Sequence, residues 1–274
     1  MDKILVLTDL HLRGAGKTII GLDPTARLQQ SLDTALRDHP DAKALILMGD
    51  LTHSGRAEEY DILRDMLQDC PIPVTYMLGN HDQRAPFRAT FPTAPVTPQG
   101  HVQRIVDLPH HRIITLDTHD AAANPAHSGL LCADRLAWLD AALAGAGGRM
   151  ALVFAHHPPH AVGLPGMDAI ALRNGDDLLD RLRATPAHLF CGHVHRTISG
   201  QARGVAFTMF KSTCHQAPLD LIRPDSTLSI AEPAAYGLLL LSEGGVIAHS
   251  EDIGLNLTPC SGSDALPEDE SKAI

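Results

Sequence analysis

Five short polar stretches punctuate this sequence, and each follows an apolar run. They are Asp9-Leu10-His11, Gly49-Asp50, Gly79-Asn80-His81-Asp82, His156-His157 and Gly192-His193-Val194-His195. The runs before them are KILVLT (3–8), ALILM (44–48), VTYML (74–78), ALVFA (151–155) and AHLFC (187–191). Nearly continuous apolar runs of this length read as strands buried on both faces. Open α/β sheets bind their ligands at the carboxyl ends of such strands. One pair of metal-capable side chains after a strand would mean little. Five in order point to a metal-dependent enzyme.

Helical patterns separate the strands. Asp23-Pro24 is a good helix start, and Leu28, Leu32 and Leu36 recur at helical spacing until Pro40. Residues 57–67 and 133–143 read as further helices, the latter holding Trp138, and 176–184 as another. Residues 102–107 and 112–116 read as a hairpin turning at Pro109-His110-His111. Later strands are expected near 205–209, 227–230, 236–241 and 246–251. No linker interrupts the pattern, so residues 1–260 form a single α/β domain on this reading. The Pro-rich, polar stretch 211–233 reads first as a surface excursion, with a flap or a partner-contact element beside the site as the sharper alternative. Residues 261–274 are acidic and poor in apolar residues, and are expected to form a disordered tail.

Composition narrows the partners. The formal net charge of −10 disfavours a nucleic-acid polymer, and no Lys/Arg cluster offsets it. Five scattered cysteines without C-x-x-C spacing argue against a disulfide framework or a structural zinc knuckle. The first strand starts at Lys3, which leaves no room for a signal peptide, and no apolar run approaches the ~20 residues that cross a bilayer. A cytoplasmic protein with no membrane association is the expectation.

Side chains at i and i+2 on extended backbone share a face, so Asp9 and His11, and likewise His193 and His195, are expected to converge. The neighbouring glycines would permit sharp turns. Asp9, His11, Asp50, Asn80, His156, His193 and His195 are too many donors for one ion. They suit two ions sharing a carboxylate, with Asp50 the natural bridge. Imidazole and oxygen donors without thiolate favour Zn, Mn, Fe or Co over Ca. Taken singly, Asp9 and Asp50 would read as helix-capping loop carboxylates. His157 reads as packing beside His156, Cys191 as a buried strand residue and His110-His111 as a polar turn. Gly14–Thr18 evokes a phosphate-binding loop, but that motif needs glycine where His11 stands.

As an ordered set, D-x-H, G-D, G-N-H-D, H-H and G-H-x-H resemble the calcineurin-like metallophosphoesterases over residues 3–196. The D-L-H, Leu78-Gly-Asn-His-Asp82 and His156-His-Pro-Pro159 forms resemble the bacterial branch of class III cyclic nucleotide phosphodiesterases and glycerophosphodiesterases. The resemblance implies a four-layer α/β/β/α sandwich. It implies a first divalent ion on Asp9, His11, Asp50 and His195, and a second on Asp50, Asn80, His156 and His193. His81 would stabilise the transition state or protonate the leaving oxygen, Asp82 would orient His81, and His53 and Arg56 would touch substrate. The implied reaction is hydrolysis of a small phosphodiester by metal-bound hydroxide. Cyclic nucleotides, cAMP foremost, come first as substrates; glycerophosphodiesters or 2′,3′-cyclic nucleotides are the alternative. A non-catalytic metal-dependent scaffold is the competing class. Relatives of this kind are often oligomeric, so a homo-oligomer built through 211–233 is a further expectation.

Overall fold

A computed structural model describes residues 1–255, and the expected tail at 261–274 lies outside the described residues. The apolar runs are strands: β1 (Asp2–Leu7), β2 (Ala44–Met48), β3 (Val74–Met77), β6 (Met150–Ala155) and β7 (Ala187–Cys191). Between them come α1 (Pro24–Asp38), α2 (Ala57–Leu67), α3 (Arg84–Thr90), the strands β4 (Arg104–Asp107) and β5 (His111–Leu116), and α4 (Ala133–Ala144). After β6 follow α5 (Pro165–Asp168) and α6 (Gly175–Leu182). The described chain closes with β8 (Ile198–Ala202), β9 (Val205–Met209), β10 (Ala235–Ser242) and β11 (Gly245–Asp252). Helix α1 starts where the sequence says it should: the Asp23 carboxylate accepts from the Thr25 and Ala26 amides at 2.9 and 3.2 Å, with Pro24 in the first turn.

The strands form two sheets, ordered β11-β10-β1-β2-β3 and β4-β5-β6-β7-β9-β8. Strand alternation explains the layers. Ile4, Val6, Ile46 and Met48 face the other sheet, where they meet Leu152, Phe154 and Phe190. Leu5, Leu7, Leu45 and Leu47 face outward onto Leu28, Leu32 and Leu63 of α1 and α2. On the far side, Val153 and Leu189 pack against Leu139, Leu178 and Leu182 of α4 and α6. Helix, sheet, sheet and helix thus give the four-layer α/β/β/α sandwich. The unbroken apolar runs are needed because both faces of each central strand are covered.

Three expectations are corrected. Residues 227–230 do not form a strand: only Ile230 pairs, with Gln216, while Asp225 turns the chain by accepting from the Thr227 amide and hydroxyl at 2.8 and 2.7 Å. His111 belongs to β5 and is buried, not part of a polar turn. Residues 211–233 leave the sheet after β9 and fold back over the carboxyl ends of the strands. The Ala217 amide donates to the His195 carbonyl at 3.3 Å, and Arg196 donates to the Ala217 carbonyl at 2.8 Å. No described helix is long and apolar enough to cross a membrane.

Candidate metal centre

The carboxyl ends of β1, β2 and β3 in one sheet and of β6 and β7 in the other meet at a single seam. Asp9 and His11 follow β1, Asp50 follows β2, Asn80 and His81 follow β3, His156 follows β6, and His193 and His195 follow β7. The loops stay paired beyond the strands: the Asp9 amide donates to the Gly49 carbonyl at 3.0 Å and the His11 amide to the Asp50 carbonyl at 2.9 Å.

Convergence arises differently from the extended-backbone expectation. Asp9, His11, Asp50, His193 and His195 all have positive φ, between 47° and 69°. Left-handed residues alternating along the loops turn the side chains into the seam. Non-glycine residues occupy this region at a cost, Asp, Asn and His least reluctantly. The glycine expectation is corrected too. Gly49 does use its freedom, at φ +94°. Gly79 and Gly192 instead make room: a Cβ at Gly79 would overlap Asp50 Oδ1, and one at Gly192 would overlap Thr8 Oγ1 and come within 2.8 Å of Asp9 Oδ2.

Backbone carbonyls fix the imidazole tautomers. A carbonyl only accepts, so His156 Nδ1 donates to Met48 O at 3.0 Å and His195 Nδ1 donates to His215 O at 2.7 Å. In the neutral rings each Nε2 is then a free lone pair. His156 Nε2 looks at Asn80 Oδ1 (3.2 Å), Asp50 Oδ2 (3.4 Å) and Asp9 Oδ1 (3.9 Å), all acceptors. His195 Nε2 looks at His11 Nε2 (3.0 Å) and Asp9 Oδ1 (3.3 Å). His193 Nδ1 lies 2.8 Å from Asn80 Oδ1, and its Nε2 is buried without a partner. Ring protons or bound cations must reconcile so many acceptors facing one another. The spacings also match the edges of a coordination shell with bonds of ~2.0–2.2 Å. The donor set therefore fits divalent metal ions.

Electrostatics agree. Burial would raise the Asp50 carboxyl, but the His156 and His81 imidazoles more than offset this and hold it well below the usual range. Asp9 is lowered in the same way, burial being outweighed by His195 and His156. Burial would lower His156, yet Asp50 and Asp9 push it up to about 9. Burial, joined by His156, pushes His193 down to about 3. His11 and His157 are held well below their ordinary value, first by burial. Ionised carboxylates beside neutral His11 and His193 are the state that metal ions require, while His156 and His195, the latter raised by Asp9 against the effect of burial, carry protons that bound ions would displace.

The other expected residues are placed as follows. The His81 amide donates to Asp50 Oδ1 at 2.8 Å, and its Nδ1 donates to the His53 carbonyl at 2.8 Å. Asp82 does not touch the His81 ring, contrary to expectation. Its carboxylate accepts from the Gly79, Leu51 and Thr52 amides (2.9, 3.1 and 3.1 Å) and from the Tyr60 hydroxyl (3.0 Å), so it ties the β2 and β3 loops together. His53 lines the cavity over the donors, with its ring stacked on His81 at 5.1 Å. Arg56 is corrected: it sits at the start of α2, exposed, 3.7 Å from Glu58, and is not among the residues lining the cavity. His157 uses both ring nitrogens on protein partners, Thr118 Oγ1 at 2.7 Å and His127 O at 3.1 Å.

Two residues were missed. His215 carries a ring nitrogen within 4.8 Å of those of His11 and His195, and burial pushes it down to about 3. The signal was a sixth strand end: Ser212-Thr213-Cys214-His215 follows β9 shortly after its last residue. His127 accepts from the Asn80 side-chain amide at 3.0 Å and stacks on His81 at 5.0 Å. A cavity of about 360 Å³ opens over Asp50, His81 and His195, and Ser226–Ser229 of the 211–233 segment form part of its wall.

Comparison with known proteins agrees with this geometry. The family profile described as calcineurin-like phosphoesterase matches residues 2–197. The chain is 40% identical over 251 residues to a probable cyclic nucleotide phosphodiesterase of Rhodopseudomonas palustris, covering 90% of this chain and 91% of the relative. It is 33% identical over 222 residues to a glycerophosphodiester phosphodiesterase of Enterobacter lignolyticus, covering 77% of each. Its fold matches a dimetal phosphatase from Danio rerio with a TM-score of 0.69 at 14% identity, over 92% of this chain and 96% of that one.

Proposed function

Because the chain belongs to the calcineurin-like phosphoesterases, we propose that its seam is a dinuclear centre hydrolysing small phosphodiesters, 3′,5′-cyclic nucleotides and cAMP foremost. That it is a metal-dependent phosphodiester hydrolase follows from the family and its phosphodiesterase relatives. Asp9, His11, Asp50 and His195 would hold one ion, and Asp50, Asn80, His156 and His193 the other. Bound there, two divalent ions supply Lewis acidity, lowering the pKa of water and neutralising charge on phosphoryl oxygens.

One observation carries this reading. Asp50 Oδ2 stands 3.4 Å from His156 Nε2 and 3.7 Å from His11 Nε2, so a single carboxylate oxygen belongs to both donor sets.

The chain's own groups do the rest. The Asp50 backbone and carboxylate order the loops on either side, through the His11 and His81 amides. The His53 carbonyl occupies His81 Nδ1, which leaves Nε2 as the atom available to a substrate oxygen. From there it can donate to the developing charge or to the leaving alkoxide. Asp82 and Tyr60 keep the two loops in register, so His81 and Asp50 hold a fixed spacing.

A second reading, a glycerophosphodiesterase, is favoured by the relative of that name at 33% identity. The same chemistry serves both. The test is a panel of cAMP, 2′,3′-cAMP and glycerophosphoethanolamine, assayed with Mn²⁺ and with metal content measured alongside. Highest kcat/KM on cAMP is the expected result. A metal-loaded protein inert towards every diester would leave only the scaffold reading.

A further inference from the structure

We propose that the outer half of the cavity is a binding subsite for a flat, uncharged organic group, a nucleobase by chemical class. Its walls are Ile19 and Ile20 on the loop after β1, and Met167, Ile170 and Leu228 on the opposite segments. The inference rests on the phosphodiesterase reading of the adjoining donors and deepens it by assigning what selects the substrate.

The walls are built, not incidental. The Ile19 and Leu22 backbones pair with each other at 2.8 and 2.9 Å, which sets Ile20 at the tip of a tight loop. Ile20 stands at φ +46°, a left-handed conformation that a β-branched residue rarely adopts. The result is an apolar side chain held half exposed at 50%, beside a cavity rather than in the core. On the other side, α5 is locked against the 211–233 segment. A Cβ at Gly166 would overlap the Asp225–Ser226 backbone, so Met167 and Leu228 belong to one continuous wall. The Ser226, Thr227 and Ser229 side chains supply neutral polar edges.

Charge argues for the ligand class. Among the described residues lining this cavity there is no Lys or Arg, and Asp50 is the only carboxylate. Phe, Tyr and Trp are absent from the lining as well. A dianionic monoester would find no guanidinium or ammonium group to meet its extra charge. A choline or ethanolamine head would find neither an aromatic cage nor an unclaimed carboxylate. What remains is an uncharged moiety buried between aliphatic side chains and read by hydroxyls. About 360 Å³ is ample for a nucleoside and lies in the range of small-ligand sites.

The test compares cAMP with glycerophosphoethanolamine on the metal-loaded protein and its Leu228→Ala and Ile170→Ala variants. Removing a wall side chain should raise KM for cAMP by about 10-fold with kcat little changed, and lower the cAMP-to-glycerophosphoethanolamine ratio of kcat/KM by about 10-fold. Ile222→Ala, at the 86% exposed tip of the same segment and outside the cavity, should leave that ratio at the wild-type value. Equilibrium dialysis of a cyclic adenosine phosphorothioate gives a readout independent of turnover, with binding weakened about 10-fold by Leu228→Ala. A wild-type preference for glycerophosphoethanolamine, or equal losses on both substrates, would overturn the subsite. Loss of all turnover with phosphorothioate binding still dependent on Leu228 would support the subsite and overturn the hydrolase reading instead.

Discussion

His11 Nε2 and His195 Nε2 face each other at 3.0 Å, and His195 Nδ1 already donates to a carbonyl, so a hydrogen or a metal ion must stand between the two ring nitrogens. In the metal-free protein a ring N–H fills that place; a bound divalent ion would take it over, held by both imidazoles.

Metal loading should therefore stabilise the fold. At a hundredfold excess over Kd, a ligand bound only by the native state contributes about 2.7 kcal/mol. For a chain of this size that corresponds to a rise in Tm of roughly 5–10 °C. Scanning calorimetry of protein dialysed against EDTA, then restored with Mn²⁺ or Zn²⁺, reads this directly. A Tm indifferent to metal would contradict the assigned donors.

Asp50→Ala should disturb both ions at once, because Oδ2 stands between the two donor sets and Oδ1 anchors the His81 amide. Elemental analysis should show fewer than one ion per chain. Two retained ions would remove Asp50 from the bridge.

His81→Ala should keep the metal content and lower turnover by about 10²–10⁴-fold, the effect of losing a proton-transfer group. The distinguishing measurement is kcat with metal stoichiometry determined on the same sample. Unchanged kcat would exclude His81 from the chemistry.

Gly79→Ala should be costly despite its size. The new methyl would displace Asp50 Oδ1, and crowding of this kind costs about 1–3 kcal/mol. Urea unfolding and metal content should both register it. The same substitution at Gly204, where a Cβ meets nothing within 4 Å but φ is +87°, separates crowding from backbone strain.

The metal-free protein should be most stable near neutral pH. The His156 pKa is raised from 6.5 to about 9, so its imidazolium contributes stability that is present below pH 6.5 and lost as pH rises through about 9. The His193 pKa is lowered to about 3, so the unfolded chain binds the extra proton below pH 6.5 and stability falls as pH drops towards 3. Tm measured against pH in EDTA should decline on both sides. Added metal should flatten the alkaline side, since the ion then supplies the charge that the His156 proton supplied.

Much of this was legible because burial on both faces leaves a plain signature. ALILM at 44–48 and AHLFC at 187–191 coincide with β2 and β7 to the residue. Asp23 announced α1 through its own hydrogen bonds. The short or polar elements were not legible. Helix α3, RAPFRAT, is seven residues with a proline inside, and β8, ISGQA, is a polar edge strand. The left-handed backbone of the donors had no signature, since Asp and His are ordinary residues until φ is known. Nor could sequence show that Ser226–Ser229 line the cavity, because contacts with α5 and His195 set that placement across long separations.

The seven candidate donors divide between the sheets, with Asp9, His11, Asp50 and Asn80 from one and His156, His193 and His195 from the other. Neither half of the polypeptide owns a complete coordination shell. A metal ion at the seam would act as a clasp between the loop after the first strand and one 184 residues further along the chain. Its capture would then report that the two halves have docked.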